Sequence, residues 1–200
     1  LAGGRSRRFG GDKLLATLDG RSLLEHAVAA VEAVADDVLV VGPAERSIDP
    51  AALATSQEVR LRVVPDRVPF AGPAAGLRTA LELAREPLVL IAAGDMPRLV
   101  PAVLELLVRT LAAGDPGVVD AVLLSYRGRM RPLPAVLRVG AGTVAAQAAA
   151  SSGDTSLVGV FAQLRTRVLE ESAWRPLDPE AWTLADVDRP ADLDRLARRA

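Results

Sequence analysis

Residues 1–13 have a composition suited to binding a polyphosphate. They read LAGGRSRRFGGDK and contain four glycines and four cationic side chains. Glycines let backbone amides approach a ligand closely and form a concave anion nest, and arginine and lysine offset the charge of a triphosphate. The segment matches neither a Walker A loop nor the Gly-x-Gly-x-x-Gly turn. A solvated surface loop rich in glycine and arginine would have the same composition.

A second candidate segment combines one carboxylate with two glycines. Asp66 follows Pro65 at the end of an apolar run, and Gly72 and Gly76 frame the sequence GPAAGL. The glycines permit close backbone approach, and the start of a following helix presents free amides. A carboxylate facing a base can select guanine, because guanine N1–H and its N2 amino group are both donors. Taken alone, Asp66 also fits a turn residue, and GPAAGL fits an ordinary helix start.

A further aspartate has the chemistry of a magnesium ligand. Asp95 lies in AAGDMP, directly after the apolar run 87–93, and another aspartate, Asp188, lies in a later segment, ADVDRPADL. An aspartate at the carboxyl end of a buried strand stands where α/β folds place their ligands, and Mg²⁺ prefers hard oxygen donors. The alternatives are a turn residue for Asp95 and the capped start of a helix for Asp188.

In sequence order, these segments resemble the MobA-like nucleotidyltransferase family over nearly the whole chain. LAGGRSRRFGGDK is similar to the family's LAGGxSxRMGxDK signature, with Phe9 in place of methionine. GPAAGL resembles its GPLAG stretch, and GDMP resembles its metal-binding element. DVDRPADL resembles the terminal N(I/V)NTPEDL or D(I/V)DTPEDL pattern, where Asp188 stands at a position often occupied by asparagine and Arg189 replaces threonine.

The resemblance implies a role for each segment. Lys13 would neutralise the α- and β-phosphates with help from Arg8, and Asp66 would accept the donors of the base. Asp95 and Asp188 would bind one Mg²⁺. The nucleotide contacts that the resemblance implies are Leu1, Ala2, Gly3, Gly4, Lys13, Asp66, Gly72, Gly76 and Asp95.

The resemblance also implies a side of the site that faces an acceptor. Arg129 and Arg131, in RMRPLPA, and Ser156, in GDTSL, match segments that face the acceptor in the family. A solvated basic turn over 127–131 would explain the arginines equally well.

The implied reaction is transfer of GMP from GTP to a phosphorylated acceptor of the molybdopterin type, with release of pyrophosphate, in molybdenum cofactor biosynthesis. A phosphate is already a nucleophile at neutral pH, so catalysis would rest on positioning and on charge neutralisation by Mg²⁺, Lys13 and Arg8. The alternatives are a cytidylyltransferase or a phosphoenolpyruvate or phospholactate guanylyltransferase of the same family, or a non-catalytic nucleotide-binding module. Cofactor-biosynthesis proteins and molybdoenzyme chaperones are candidate protein partners.

The elements that position these residues are predicted to form one α/β domain over residues 1–200. Short apolar runs alternate with helical stretches, which favours a doubly wound fold. The resemblance implies a Rossmann-like three-layer α/β/α fold with a mostly parallel central sheet, whose first strand begins upstream of Leu1. Strands are expected at 38–41, 61–64, 87–93, 121–124 and 133–138. Helices are expected at 23–34 with a Ser22–Glu25 capping box, and at 76–84, 100–111, 142–150, 154–164 and 189–199.

Composition narrows the functional classes. Of the 200 residues, 50% are hydrophobic and 24% are charged, which is typical of a folded globular protein. A net charge of −1 disfavours a general nucleic-acid or anionic-membrane binder. The absence of cysteine excludes disulfides and thiolate sites, and the single histidine excludes a multi-histidine metal site within one chain. No apolar run reaches the roughly 20 residues of a membrane span, so a cytoplasmic protein is expected.

Overall fold

The computed structural model describes residues 1–4, 9–44, 48–53, 59–68 and 71–198. Its strands are β1 (Thr17–Leu18), β2 (Arg21–Ser22), β3 (Asp37–Gly42), β4 (Arg60–Pro65), β5 (Leu88–Ile91), β6 (Ala121–Tyr126), β7 (Arg129–Arg138) and β8 (Thr166–Leu169). Its helices are α1 (Leu23–Glu32), α2 (Pro50–Leu53), α3 (Pro73–Leu83), α4 (Pro101–Ala112), α5 (Val139–Ser151), α6 (Leu157–Phe161), α7 (Glu171–Trp174) and α8 (Pro190–Ala197), with 3₁₀ turns at Lys13–Leu15 and Trp182–Leu184. None of the helices in these ranges has the length and apolarity that a membrane crossing requires.

The larger strands form two sheet segments. Strands β3 and β4 pair in parallel, and the other segment has the order β5-β7-β6-β8. Strand β7 runs antiparallel to both neighbours, whereas β8 runs parallel to β6. The expected α/β class is confirmed. The sheet is mixed because the short connection between β6 and β7 leaves no room for the crossover that parallel strands need.

A two-residue turn makes this connection. Tyr126 pairs with Arg129, and the intervening Arg127 and Gly128 have φ values of 52° and 69°. Positive φ at both central positions defines the type I′ turn that matches the twist of a hairpin. The basic turn expected over 127–131 is therefore confined to two residues, and β7 already begins at Arg129.

Helices cover both faces of the larger sheet segment. On β6, Ala121 and Leu123 pack into a cluster with α3, α5 and α6, whereas Val122 and Leu124 pack into a second cluster with α4. Successive side chains of a strand point to opposite faces, so a continuous apolar run fits a strand between two helical layers. The three-layer arrangement predicted from these runs is present.

Helix starts were predicted with unequal success. Helix α1 begins with the expected capping box, since Ser22 Oγ accepts from Glu25 N and Glu25 Oε2 accepts from Ser22 N. The helix expected at 154–164 is wrong at both ends. Helix α6 is only five residues long, and its N-cap is Ser156, whose hydroxyl accepts from Gly159 N at 3.0 Å.

An apolar cavity of about 300 Å³ lies between the two sheet segments. It is lined by β3, β5 and the inner face of α1. Leu1 and Ala2 close the gap at one end, where Ala2 N donates to Val41 O at 2.7 Å and Leu1 O accepts from Gly94 N at 2.9 Å. The first two residues therefore connect the carboxyl ends of β3 and β5.

Candidate active site

Lys13 lies between two carboxylates. Asp12 caps the 3₁₀ turn by accepting from Leu14 N at 3.2 Å, which fixes the end of the glycine-rich loop. Lys13 Nζ lies 2.5 Å from an oxygen of Asp95 and 2.9 Å from an oxygen of Asp188. Burial opposes the charged form, but the hydrogen bonds and charges of Asp95 and Asp188 raise the pKa of Lys13. The ammonium is therefore charged at neutral pH.

The two carboxylates come from distant parts of the sequence and are joined by the backbone. Asp95 follows β5 through Ala92, Ala93 and Gly94, and its carbonyl oxygen accepts from Val187 N at 3.0 Å. Both carboxylates contact one ammonium, so they face the same position in the site, where a cationic group already lies. Within the described ranges there is no group of three or more potential metal ligands. Two carboxylates fit Mg²⁺, which usually binds few protein groups and completes its shell with phosphates and water.

A third aspartate lies beside this pair. Partial burial, and then the negative charges of Asp95 and Asp188, raise the pKa of Asp186. Arg131 on β7 is close enough for its charge to oppose that rise. The site therefore presents two carboxylates that share the single positive charge of Lys13, and a third, Asp186, on which the charge of Arg131 also acts.

Asp66 lies at the carboxyl end of β4, buried at 8% exposure. Its backbone N–H donates to Gly42 O at 2.7 Å, which holds it at the sheet edge. A Cβ atom built on Gly76 would lie 3.5 Å from the Leu1 side chain and 3.7 Å from Asp66 Oδ2. Leu1, Asp66 and Gly76 therefore lie close together beside the start of α3, and Gly76 adds no side chain between them.

The glycine-rich loop leaves this edge of the sheet with an accessible backbone. Ala2 is buried by its bond to β3, whereas Gly3 and Gly4 are exposed. Among the described residues, a Cβ atom at either glycine would meet nothing within 4 Å, and Gly4 has a φ of 129°. The predicted phosphate residue Arg8 lies outside the described residues.

The backbone of Gly72 lies close to Thr155, in the turn before α6. It is the N-cap of α3 with a φ of 96°, and a Cβ atom there would lie 2.7 Å from Thr155 O. Thr155 O also accepts from Ala74 N at 3.2 Å. Gly72 therefore couples the start of α3 to the turn that precedes α6, and a side chain at this position would collide with that turn.

The three residues predicted to face the acceptor differ in burial and in their hydrogen bonds. Arg131 is half-buried on β7 beside the carboxylates, whereas Arg129 is exposed near the hairpin turn. Ser156 uses its hydroxyl oxygen to cap α6, and its N–H donates to Asp154 Oδ1 at 2.8 Å. Hydrogen bonds from the backbone N–H and the side chain of Ser156 lower the pKa of the Asp154 carboxyl.

A buried polar network that was not predicted from the sequence supports the carboxylates. Asp178 accepts from the N–H groups of Trp182 and Thr183 at 2.9 and 2.8 Å, and Thr183 Oγ1 accepts from Val100 N at 3.1 Å. The network joins the segment after Asp95 to the segment before Asp188. No motif marks these residues, because their partners are backbone groups that only the tertiary fold brings together.

Comparisons with known proteins identify the family and the fold. A family model described as the MobA-like NTP transferase domain matches residues 1–168. A probable molybdenum cofactor guanylyltransferase of Chloroflexus aggregans is 34% identical over 199 residues, which cover 96% of this chain and 89% of that protein. One from Carboxydothermus hydrogenoformans is 30% identical, with 99% and 93% covered. The crystal structure of molybdopterin-guanine dinucleotide biosynthesis protein A from Archaeoglobus fulgidus has the same fold, with a TM-score of 0.78 at 24% identity and coverages of 99% and 95%.

Proposed function

Because the chain belongs to the family of MobA-like NTP transferase domains, we propose that it is a magnesium-dependent guanylyltransferase. It would transfer GMP from GTP to the phosphate of a molybdopterin-type acceptor and release pyrophosphate. The observation that carries this proposal is the meeting of Lys13, Asp95 and Asp188 at the carboxyl ends of the strands. The two relatives above are named for this activity and match nearly the whole chain.

The chain's residues would act by positioning and by charge. An acceptor phosphate oxygen attacks the α-phosphorus, the bond from that phosphorus to the bridging oxygen breaks, and pyrophosphate leaves. Lys13 would hold the phosphates in line and balance the charge that grows on the leaving group. Mg²⁺ bound by Asp95 and Asp188 would supply further positive charge to the phosphate oxygens. No general base is needed, since a phosphate monoester is largely doubly ionised at neutral pH.

Base selection would fall to Asp66. Guanine offers two adjacent donors to its carboxylate, whereas cytosine and adenine lack that pair. Binding the wrong base would leave a buried carboxylate unpaired, which is costly enough to discriminate strongly. We also propose that Leu1, Ala2, Gly3, Gly4, Gly72 and Gly76 border the nucleotide. The residues that would face the acceptor are Arg129, Arg131 and Ser156.

The proposal is tested by product formation. The protein is incubated with Mg²⁺, molybdopterin and each of the four NTPs in turn, and pyrophosphate release is measured. We expect release with GTP, dependence on the acceptor, and loss on chelation that added Mg²⁺ reverses. Faster release with CTP would replace the guanylyl assignment by a cytidylyl one. No release with any NTP would refute nucleotidyl transfer to this acceptor.

A further inference from the structure

We infer that Thr79 is a positioning residue for base recognition, because it fixes the Asp66 carboxylate in the orientation that the base meets. The inference rests on the proposed function, since it concerns the base-binding end of the same site. Thr79 lies on the buried side of α3 at 2% exposure. Its Oγ1 lies 3.3 Å from Asp66 Oδ1.

The neighbours of the hydroxyl determine the direction of its hydrogen. Arg67 N donates to Thr79 Oγ1 at 3.4 Å, so one side of the oxygen acts as an acceptor. Two acceptors compete for the hydroxyl hydrogen, Asp66 Oδ1 and the helix carbonyl of Ala75, each at 3.3 Å. The carboxylate is the stronger acceptor because it is charged. Thr79 thus links the loop after β4 to the carboxylate that begins it.

The two oxygens of Asp66 have different surroundings. Oδ1 accepts from Val68 N at 3.3 Å and from Thr79 Oγ1. Oδ2 lies near Gly76, where a Cβ atom would be 3.7 Å from it, in van der Waals contact, so the glycine leaves that side of the oxygen without a covering side chain. With Oδ1 held at two points, the plane of the carboxylate is fixed and Oδ2 is presented toward the side that Gly76 leaves uncovered. A bound guanine would then meet an acceptor already oriented for its donors.

The alternative is that Thr79 merely makes the common bond from a helical threonine to the carbonyl four residues earlier. Thr110 on α4 provides a matched control, because its Oγ1 donates to Leu106 O at 2.7 Å and contacts no predicted site residue. Thr79→Val removes the hydroxyl at nearly constant shape, and Thr79→Ser retains it. Thr110→Val removes an equivalent hydroxyl elsewhere.

The test measures dissociation constants for GTP and ITP with Mg²⁺ by calorimetry. ITP lacks only the N2 amino group, so the ratio of the two constants reports recognition of that donor. We expect Thr79→Val to reduce the preference for GTP about fivefold, the loss typical of one hydrogen bond. Thr79→Ser and Thr110→Val should both retain the preference of the unsubstituted protein.

An unchanged preference in Thr79→Val, or an equal loss in Thr110→Val, would overturn the inference, as would a parent protein that binds ITP as tightly as GTP. If Thr79→Val does not fold, Thr79→Ala is compared with Thr79→Ser, which differs from it only by the hydroxyl. Preferred binding of GTP without pyrophosphate release would refute the proposed function and leave this inference standing.

Discussion

At the scale of single residues, Lys13 is the group whose removal should matter most to phosphate binding. It contacts Asp95 and Asp188 in the nucleotide-free site, and the triphosphate would give it further charged partners. Loss of one charge-assisted contact typically costs about 1.5–3 kcal/mol. We therefore expect Lys13→Ala to lower kcat/KM at least about tenfold, measured by pyrophosphate release. The circular dichroism spectrum should be unchanged, and unaltered turnover in this folded variant would contradict the phosphate-binding role.

Substitution of Asp95 should affect kcat and nucleotide binding to different extents. Mg²⁺ is expected to matter most as charge develops in the transition state, so a lost ligand should lower kcat more than it weakens binding. We expect Asp95→Asn to lower kcat by about 100-fold or more, as loss of a transition-state contact commonly does. The dissociation constant for GTP should change far less, as measured by calorimetry.

Asp115→Asn is the control for Asp95, because Asp115 accepts from nearby loop amides. This substitution should leave kcat and the dissociation constant for GTP unchanged. A greater effect of Asp95→Asn on binding than on kcat would argue against a metal role for Asp95.

Residue chemistry made part of the site predictable. Lys13, Asp95 and Asp188 stood out because charged groups beside glycines or strand ends have few structural explanations, and the fold does bring them together. Thr79 did not stand out, since a threonine in an amphipathic helix carries no pattern that marks its partner. The close approach at Gly72 was predicted, but its partner Thr155 depends on a tertiary contact that local sequence does not encode.

At the scale of elements, the parallel pair β6 and β8 is fastened at its start by one ion pair. Arg165 donates to both carboxylate oxygens of Asp120 at 2.7 Å, and Asp120 N donates to Arg165 O at 2.9 Å. Hydrogen bonds from Arg165 lower the pKa of the Asp120 carboxyl. A carboxyl whose pKa is lower in the folded state stabilises the fold above its unfolded pKa, and this contribution is lost as pH falls through the folded value.

We therefore expect Asp120→Asn to reduce the free energy of unfolding at pH 7 by about 1–2 kcal/mol. The reduction should shrink as the pH falls below the ordinary aspartate pKa of about 4, because the parent protein then loses the same charge. Urea unfolding at several pH values measures this. Asp49→Asn serves as an exposed control, since the Asp49 side chain is exposed and accepts from the nearby Ala51 N. A difference that stays constant down to pH 2 would contradict the electrostatic explanation.

The elements differ in how far local sequence determined them. The capping box set the start of α1 correctly, because its two partners are three residues apart. Helix α6 was overextended, since the residues that follow it turn back to β8, and Ser156 rather than Asp154 took the capping position. Strand β7 was predicted too short because the type I′ turn before it uses an arginine at a position where asparagine or aspartate is typical.

At the scale of the whole molecule, Leu1 and Ala2 join the two sheet segments at their carboxyl ends, through bonds to Gly94 and Val41. The apolar cavity between β3 and β5 has the lining of a site for one more buried strand. Burial lowers the pKa of the Leu1 amino group to about 6, and this group donates to Ala92 O at 2.6 Å. An amide in its place would make that bond without burying a charge. An apolar strand joined to Leu1 would therefore fit the cavity.

If an apolar strand fits this cavity, adding such a segment before Leu1 should raise the free energy of unfolding. Six apolar, β-branched residues placed before Leu1 should pair with β3 and β5 and fill the cavity, since strands buried on both faces are continuously apolar. Burial of even two such side chains should raise the free energy of unfolding by about 3 kcal/mol or more. Amides of β3 and β5 should gain protection in hydrogen exchange. A Gly-Ser extension of equal length is the control, and equal stability of the two extended proteins would show that the cavity does not accept a strand.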